Sequence, residues 1–322
     1  MSEITLVTAY FDVGRKDWTG FNRDNARYLN YFRHWARMRN RLIVYTSPDQ
    51  ADAVLAVRKE FGLEDRTTVI SIPDVLKIAP DVYQAIRQAM SNRESWLFHR
   101  CLNTPESWSY KYNYITGLKT YWVQDAVKRG LAGGMTAWID FGYDHSGDYF
   151  PYDEDFDFLW DYDFSPRIHL FLKHDMDDTP IFRIVQNMTV YVRGNLMVGP
   201  AELWPAVWKD ARQSILTLAE CGLADDDQLI MVMAYRRHPE LYQTHVMAFW
   251  GEALYRFGGS ALRLAPLKTK NMEWVHVLHR RYKSWRRRKW AALKMKRDVR
   301  KRMGREIEKK YYPLPPEDSL RK

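Results

Sequence analysis

Ile4-Thr-Leu-Val-Thr-Ala-Tyr10, running into Phe11-Asp-Val-Gly-Arg15, is the stretch from which the fold is read. An apolar, β-branched run bounded by Asp and Gly predicts a buried strand that ends in a loop. Beyond it, Tyr28, Tyr31, Phe32, Trp35 and Met38 recur at helical spacing and predict a helix over 22–39. Leu42–Thr46 reads as a second strand, closed by Ser47-Pro48, and Asp49–Phe61 as a second helix. Thr67–Ile72 is a third strand. Strand, helix, strand, helix, strand in this order predicts an α/β protein with a parallel sheet and crossover helices.

The same reading extends outward. Pro73–His99 has helical character, and Tyr110–Arg129 is a helix ending in a basic last turn before Gly130. Gly133 and Gly134 turn the chain into a short buried strand, Met135–Phe141. Asp144–Asp163, crowded with Asp, Phe and Tyr, reads as a loop beside a pocket, and Ile181–Val198 as two strands with Arg193-Gly194-Asn195 between or within them. Pro200–Cys221 and Asp225–Arg236 read as helices, the second with an acidic start that suits the helix dipole. There is no internal repeat.

Composition narrows the function classes. Of 322 residues 46% are hydrophobic and 15% aromatic, too many for a disordered chain. The two cysteines, Cys101 and Cys221, supply neither a disulfide framework nor a cysteine zinc site. Met-Ser-Glu leads straight into the first strand, so no signal peptide is expected, and no apolar run approaches the ~20 residues of a membrane span. A cytoplasmic location follows as an expectation. No Gly-x-Gly-x-x-Gly and no Gly-Lys-Ser/Thr loop is present, which removes support for Rossmann dinucleotide binding and for P-loop hydrolysis.

Charge is unevenly spread. His279–Lys310 holds 16 Lys/Arg against 3 Asp/Glu, a net of +13, whereas the rest of the chain has 33 basic and 37 acidic residues. A mildly acidic domain, 1–278, therefore carries a basic segment, 279–322. Tyr282–Lys310 reads as a long helix with an apolar stripe of Ala292, Met295, Val299, Met303 and Ile307, and with Trp285 and Trp290 near its start. Such a helix suits the surface of an anionic membrane, each basic residue contributing about 1 kcal/mol there. Pairing in an oligomer is the next alternative, and nucleic acid binding ranks below it.

The candidate chemistry centres on Ala137-Trp-Ile-Asp-Phe-Gly-Tyr-Asp144, a strand ending in a carboxylate. Ligands of open α/β sheets bind beyond the carboxyl ends of strands, so Asp140 is expected at the rim of a site, where it could hold Mn²⁺ or Mg²⁺ against a diphosphate. Thr8, Ala9 and Tyr10 end the first strand at the equivalent rim, where Tyr10 or Phe11 could stack on a base. Lys119 is a candidate phosphate ligand. In Asp225-Asp-Asp-Gln228 three carboxylates exceed what capping needs, and Asp226 or Asp227 could face an acceptor hydroxyl as general base. His245 is a candidate third metal ligand.

Val7-Thr-Ala-Tyr-Phe-Asp-Val-Gly-Arg15, Asn113-Tyr-Ile-Thr-Gly-Leu-Lys119 leading into Trp122, Trp138-Ile-Asp-Phe-Gly-Tyr143 and Asp227-Gln228 together resemble the HtrL/YibB-like family of bacterial proteins, linked to lipopolysaccharide and capsule assembly. The resemblance runs in order across residues 4–250. It implies a glycosyltransferase of the GT-A type, a Rossmann-like, mostly parallel sheet flanked by helices with a metal-binding Asp-x-Asp at a strand end. By the same resemblance the donor is a UDP-sugar, such as UDP-galactose, held by Thr8, Ala9, Tyr10, Arg15, Lys119, Trp138 and Asp140. The acceptor is a lipid-linked glycan at the inner face of the cytoplasmic membrane, approached by Asp226 or Asp227. Asp140 matches the first acid of the Asp-x-Asp, but Gly142 stands where the second belongs. Either Asp144 or His245 then completes a metal site, or the diphosphate is held with few metal ligands.

Overall fold

β1 (Thr5–Tyr10) lies near the middle of a seven-stranded sheet. The computed structural model describes residues 3–18, 21–100 and 104–265, and the compact unit ends at Ala265. The basic segment 279–322 and Cys101 lie outside the described residues. After β1 come α1 (Asn25–Trp35), β2 (Leu42–Thr46), α2 (Pro48–Lys59), β3 (Thr67–Ser71), α3 (Pro80–Ser91), α4 (Arg93–Phe98), α5 (Pro105–Trp108), α6 (Tyr110–Gly117), α7 (Lys119–Lys128) and β4 (Met135–Ile139). The second half adds β5 (Ile168–Leu172), α8 (Ile181–Asn187), β6 (Val192–Pro200), α9 (Trp204–Glu220), α10 (Asp227–Arg237), β7 (Tyr242–Val246) and α11 (Glu252–Arg256).

The sheet order is β3-β2-β1-β4-β6-β5-β7. Four of the six pairings are parallel, and only β6 runs against its neighbours β4 and β5. The expected mostly parallel α/β sheet flanked by helices is therefore present. Alternation along the strands feeds two cores. Val7, Ile43, Tyr45, Trp138 and Leu170 face the side covered by α3, α6, α7, α9 and α10. Leu6, Val44, Ala137, Ile139 and Phe171 face α1, α2, α11 and the 141–164 connection.

The chain departs from the sequence reading in informative places. Ile181–Val198 is a helix and one strand, because Ile181, Ile184 and Val185 repeat at three and four, a helical interval, and Pro180 starts the turn. β5 and β7 were not foreseen: β5 is only five residues long and follows an acidic, aromatic stretch, and β7 is a half-exposed edge strand. The 144–163 connection is more than the border of a pocket, for Phe150, Phe156 and Trp160 are fully buried in the second core. Leu118 divides the expected 110–129 helix, so Lys119 becomes the first residue of α7.

β6 carries the main irregularity. Leu170 pairs with Met197 and Leu172 with Val192, so two steps along β5 meet five along β6. The surplus backbone around Arg193-Gly194-Asn195 bulges out of the β5 ladder. On its other edge Asn195 still accepts the Asp140 N–H at 2.9 Å.

Arg58, fully buried on α2, holds the far side of the sheet together. Its guanidinium donates to the carbonyls of Ala36 and Met38 at 2.6 Å and of Asn40 at 3.0 Å, and to Thr67 Oγ1 at 2.8 Å. Ala36 ends α1, so this cation meets the carbonyl-rich end of a helix. Burial, then the nearby Arg66 charge, lowers its pKa to about 10, so it stays charged at neutral pH. Arg58→Met strands these carbonyls and should cost about 3 kcal/mol or more of unfolding free energy, measured by urea denaturation.

Candidate functional site

The chain fills sheet positions 3-2-1 on one side of β1 and then crosses to β4 on the other. The connections leaving β1 and β4 therefore diverge, which opens a crevice beyond the carboxyl ends of these two strands. A cavity of about 330 Å³ lies there. Ala9, Tyr10, Phe11, Asp12 and Arg15 reach it from β1, Asp140, Phe141, Gly142 and His145 from β4, and Tyr28, Tyr112 and Lys119 from the helices.

Aromatic rings and cations face each other across this cavity. Tyr10 stacks on Phe141 with centroids 4.9 Å apart at 16°, and Tyr28 packs against Tyr10 at 4.9 Å. The Tyr10 hydroxyl donates to Asn25 Oδ1 at 2.6 Å. Arg15 lies 5.3 Å from the Trp18 ring and 5.6 Å from those of Tyr28 and Tyr112, and donates to the Tyr28 hydroxyl. Its Nε is buried without an acceptor. Arg23 contacts His145 Nε2 at 3.3 Å. Among the described residues, neither Arg15 nor Arg23 has a carboxylate within ion-pair distance. Two uncompensated guanidinium groups beside stacked rings can take an anion attached to a flat or ring-shaped group.

The opposite wall is closed by Lys119. Its ammonium lies 2.9 Å from Asp140 Oδ1, 3.0 Å from Asp227 Oδ2 and 2.9 Å from the Gly194 carbonyl, which uses all three of its donors. Asp140 Oδ1 also accepts from Trp138 Nε1 at 2.7 Å. Burial works against the charged ammonium, but Asp140 and then Asp227 outweigh it and raise the Lys119 pKa. Gly194 is required here: a Cβ on it would lie 1.7 Å from Asp227 Oδ2. The bulge in β6 thus brings a bare backbone up to the buried carboxylate.

Asp226 caps α10 by accepting the Gln228 N–H at 3.0 Å, and Asp225 accepts the Asp226 N–H at 2.8 Å. Burial, reinforced by Glu106 and Asp227, pushes Asp225 up to about 7. Burial likewise raises Asp226 far above the carboxylate range and takes Asp227 to about 6, the latter despite Lys119.

The residues singled out in the sequence fall into three groups. Ala9, Tyr10, Arg15, Lys119, Trp138 and Asp140 come together around the cavity. Asp227 reaches them only from behind, through Lys119, while Asp226 and Asp225 border a separate pocket of about 130 Å³. Thr8, Asp144 and His245 stand apart and correct the sequence reading. Thr8 is fully buried within β1 and its hydroxyl has no partner. Asp144 accepts the N–H groups of Tyr149 at 2.7 Å and Phe150 at 3.1 Å and faces His34 Nε2 at 3.4 Å, so it fastens its own loop. His245 is on β7, three strand positions or roughly 14 Å from β4. There it bonds His169 Nδ1 at 2.8 Å among Phe171 and Phe257. The proposed metal ligands are therefore dispersed, and among the described residues no three acids, histidines or cysteines could hold an ion. With the expected ligands apart and Asp140 engaged by Lys119, the donors as they are arranged do not fit a divalent metal. The sequence reading missed Arg23, Tyr28, Tyr112 and His145; for the first two the signal was their place on and just before α1, the helix that follows β1.

The raised Asp225 acid has a consequence for stability. A carboxyl that holds its proton more tightly when folded adds stability below the unfolded pKa, near 4, and loses it as pH rises toward 7. Asp225→Asn should therefore flatten the fall in Tm between pH 5 and 8, and the variant should melt above the wild type at pH 8, as read by calorimetric scans.

Residues 2–258 match the family described as "Bacterial protein of unknown function (HtrL_YibB)". The chain is 33% identical over 261 residues to Protein HtrL of Escherichia coli (strain K12), which covers 76% of this chain and 88% of that protein. The apo crystal structure of mouse xyloside xylosyltransferase 1 superposes with a TM-score of 0.42 and 13% identity, over 82% of this chain and 95% of that chain. With the family match spanning almost the whole compact unit and a third of the aligned residues shared with the bacterial relative, the chain belongs to the HtrL/YibB family.

Proposed function

We propose that the protein is a glycosyltransferase that moves a hexose from a UDP-sugar to a lipid-linked glycan of lipopolysaccharide, O-antigen or capsule assembly. The observation that carries this reading is the cavity at the β1/β4 crossover, where stacked rings, two unpaired guanidinium groups and a strand-end carboxylate converge. Its volume of about 330 Å³ suits a small ligand, and a nucleotide-sugar needs each of these elements. Tyr10 and Phe141 are covered by each other and by Tyr28 and Phe32, so the half-buried cavity rings of Tyr28 and Tyr112 take the base or sugar face. Arg15 and Arg23 take the diphosphate, each guanidinium–phosphate contact worth about 1.5–3 kcal/mol. Uracil and galactose are taken from the resemblance of Val7–Arg15 and Trp138–Tyr143 to the family.

In the transfer, the acceptor hydroxyl oxygen bonds the anomeric carbon as that carbon's bond to the diphosphate oxygen breaks. UDP leaves with the bonding electron pair, and the hydroxyl proton passes to a carboxylate of the cavity wall. Asp140 is our candidate for that role, since its side chain is one-third exposed whereas that of Asp227 is 6% exposed. Asp226 and Asp227 then act in support, the first as a helix cap and the second behind Lys119. The basic segment 279–310 would hold the enzyme on anionic lipid, where a lipid-linked acceptor resides. Among the described residues no helix is long and apolar enough to cross a membrane.

Calorimetric titration with UDP, against ADP and GDP, tests the donor. UDP-selective binding that weakens ~10- to 100-fold in Arg15→Ala is expected. Failure to bind any of the three overturns the reading. Asp140→Ala should lower UDP release from UDP-galactose by ~10²-fold or more while the melting transition persists. Full-length protein should sediment with anionic vesicles, and a chain truncated before Tyr282 should stay in the supernatant.

A further inference from the structure

Lys119 opens α7, where the helix dipole disfavours a cation, and its side chain is only 10% exposed. Both circumstances oppose an ammonium there, yet three acceptors from three separate elements converge on it: Asp140 after β4, Asp227 at the start of α10 and the Gly194 carbonyl in the β6 bulge. Two carboxylate oxygens and a carbonyl oxygen around one point form a donor set suited to a hard divalent cation. Such an ion needs oxygens at about 2.0–2.6 Å, whereas the three oxygens here stand 2.9–3.0 Å from the nitrogen, at ammonium spacing. No Cβ stands at 194 to keep Asp227 away, and Trp138 Nε1 fixes the oxygen of Asp140 that meets Lys119. Residues of three elements thus serve one ammonium carried by a fourth.

We propose that Lys119 is the resident cation of this site, standing where a divalent metal would otherwise be bound, so that the diphosphate is taken without metal by Arg15 and Arg23. The proposal rests on the donor reading above for the diphosphate, but not for the exclusion of metal. Lys119 neutralises one of the two carboxylates and holds the other at the edge of the cavity. Arg15 and Arg23, free of carboxylate partners among the described residues, supply the positive charge that a metal would bring to the leaving diphosphate. Lys119 is in this sense a positioning residue: it acts on substrate through Asp140.

Mn²⁺ alone, followed by electron paramagnetic resonance and calorimetry on the full chain, provides the test. Wild type should bind no Mn²⁺ at millimolar concentration. Lys119→Met, which leaves Asp140, Asp227 and the Gly194 carbonyl together without a counter-ion, should bind one Mn²⁺ and gain thermal stability from it. Stoichiometric Mn²⁺ binding by the wild type overturns the proposal, as does a folded Lys119→Met that binds none. Should that variant not fold, wild-type UDP titrations decide: equal affinity in EDTA and in Mn²⁺ supports the proposal, and binding seen only with Mn²⁺ sinks it. Absence of UDP binding under both conditions would count against the donor reading alone, and the wild-type Mn²⁺ measurement would still decide the present one.

Discussion

One buried ammonium, that of Lys119, ties the end of β4, the bulge of β6 and the start of α10 to the first turn of α7. Removing this charge would leave two carboxylates facing each other in a poorly solvated space, a far greater cost than the net worth of any single ion pair. The local geometry follows from that demand. β6 must bulge so that Gly194 can present its carbonyl, and residue 194 must lack a side chain so that Asp227 can come up behind it. Arrangements of this kind contribute less to overall stability than to uniqueness, because a shifted register of β6 would break the whole set at once.

The cavity beside this clamp is asymmetric in charge. On one side the carboxylate of Asp140 is already engaged by Trp138 and Lys119; on the other, Arg15 and Arg23 sit among rings without carboxylate partners among the described residues. A guanidinium against aromatic faces keeps its charge while its flat surfaces are covered, so its N–H edges remain for an incoming acceptor. The unbonded Arg15 Nε is one such edge. The wall is held by connections that are themselves pinned: Asp144 fastens the loop after β4 to two of its own N–H groups, and its backbone adopts φ 61°, a left-handed conformation that aspartate tolerates better than most residues.

A second set of buried polar groups supports the frame far from the cavity. Arg58 closes the end of α1 with three carbonyl contacts, and Asn40 bridges Ile4 and Trp160 by donating to both carbonyls at 2.8 Å. The 141–164 connection, acidic in composition, is consequently drawn onto the sheet by Phe150, Phe156 and Trp160, while its Asp153, Asp157 and Asp155 pair with Arg37, Arg39 and Arg263. This explains how a stretch with few regular elements still forms part of a core: alternate residues are large aromatics, and the burial of each adds about 2–3 kcal/mol.

Local pattern was enough to read β1, β2, β3 and β4 with the helices α1 and α2, and the helical character of α3, α6 and α7 without their breaks, because a buried strand and an amphipathic helix each repeat at short intervals within one segment. It was enough, too, to place Tyr10 and Asp140 at strand ends and Arg15 in the loop that follows the first, and so on one rim of the sheet. It did not reveal β5 and β7, whose five-residue runs carry too little periodicity, nor the helical interval hidden in Ile181–Val185. Nor did it separate the fates of chemically alike residues. Asp140, Asp144 and Asp227 are the same side chain, but one ends at a cavity, one ties down a loop and one is sealed behind a lysine. Asp144 turns to backbone five and six residues on, whereas the place of Asp227 arises from contacts between positions 75 and 108 residues apart, Lys119 with Gly194 and with Asp227. The charge state and the work of a carboxylate depend on what the fold brings within about 3 Å of it, and only the tertiary structure decides that.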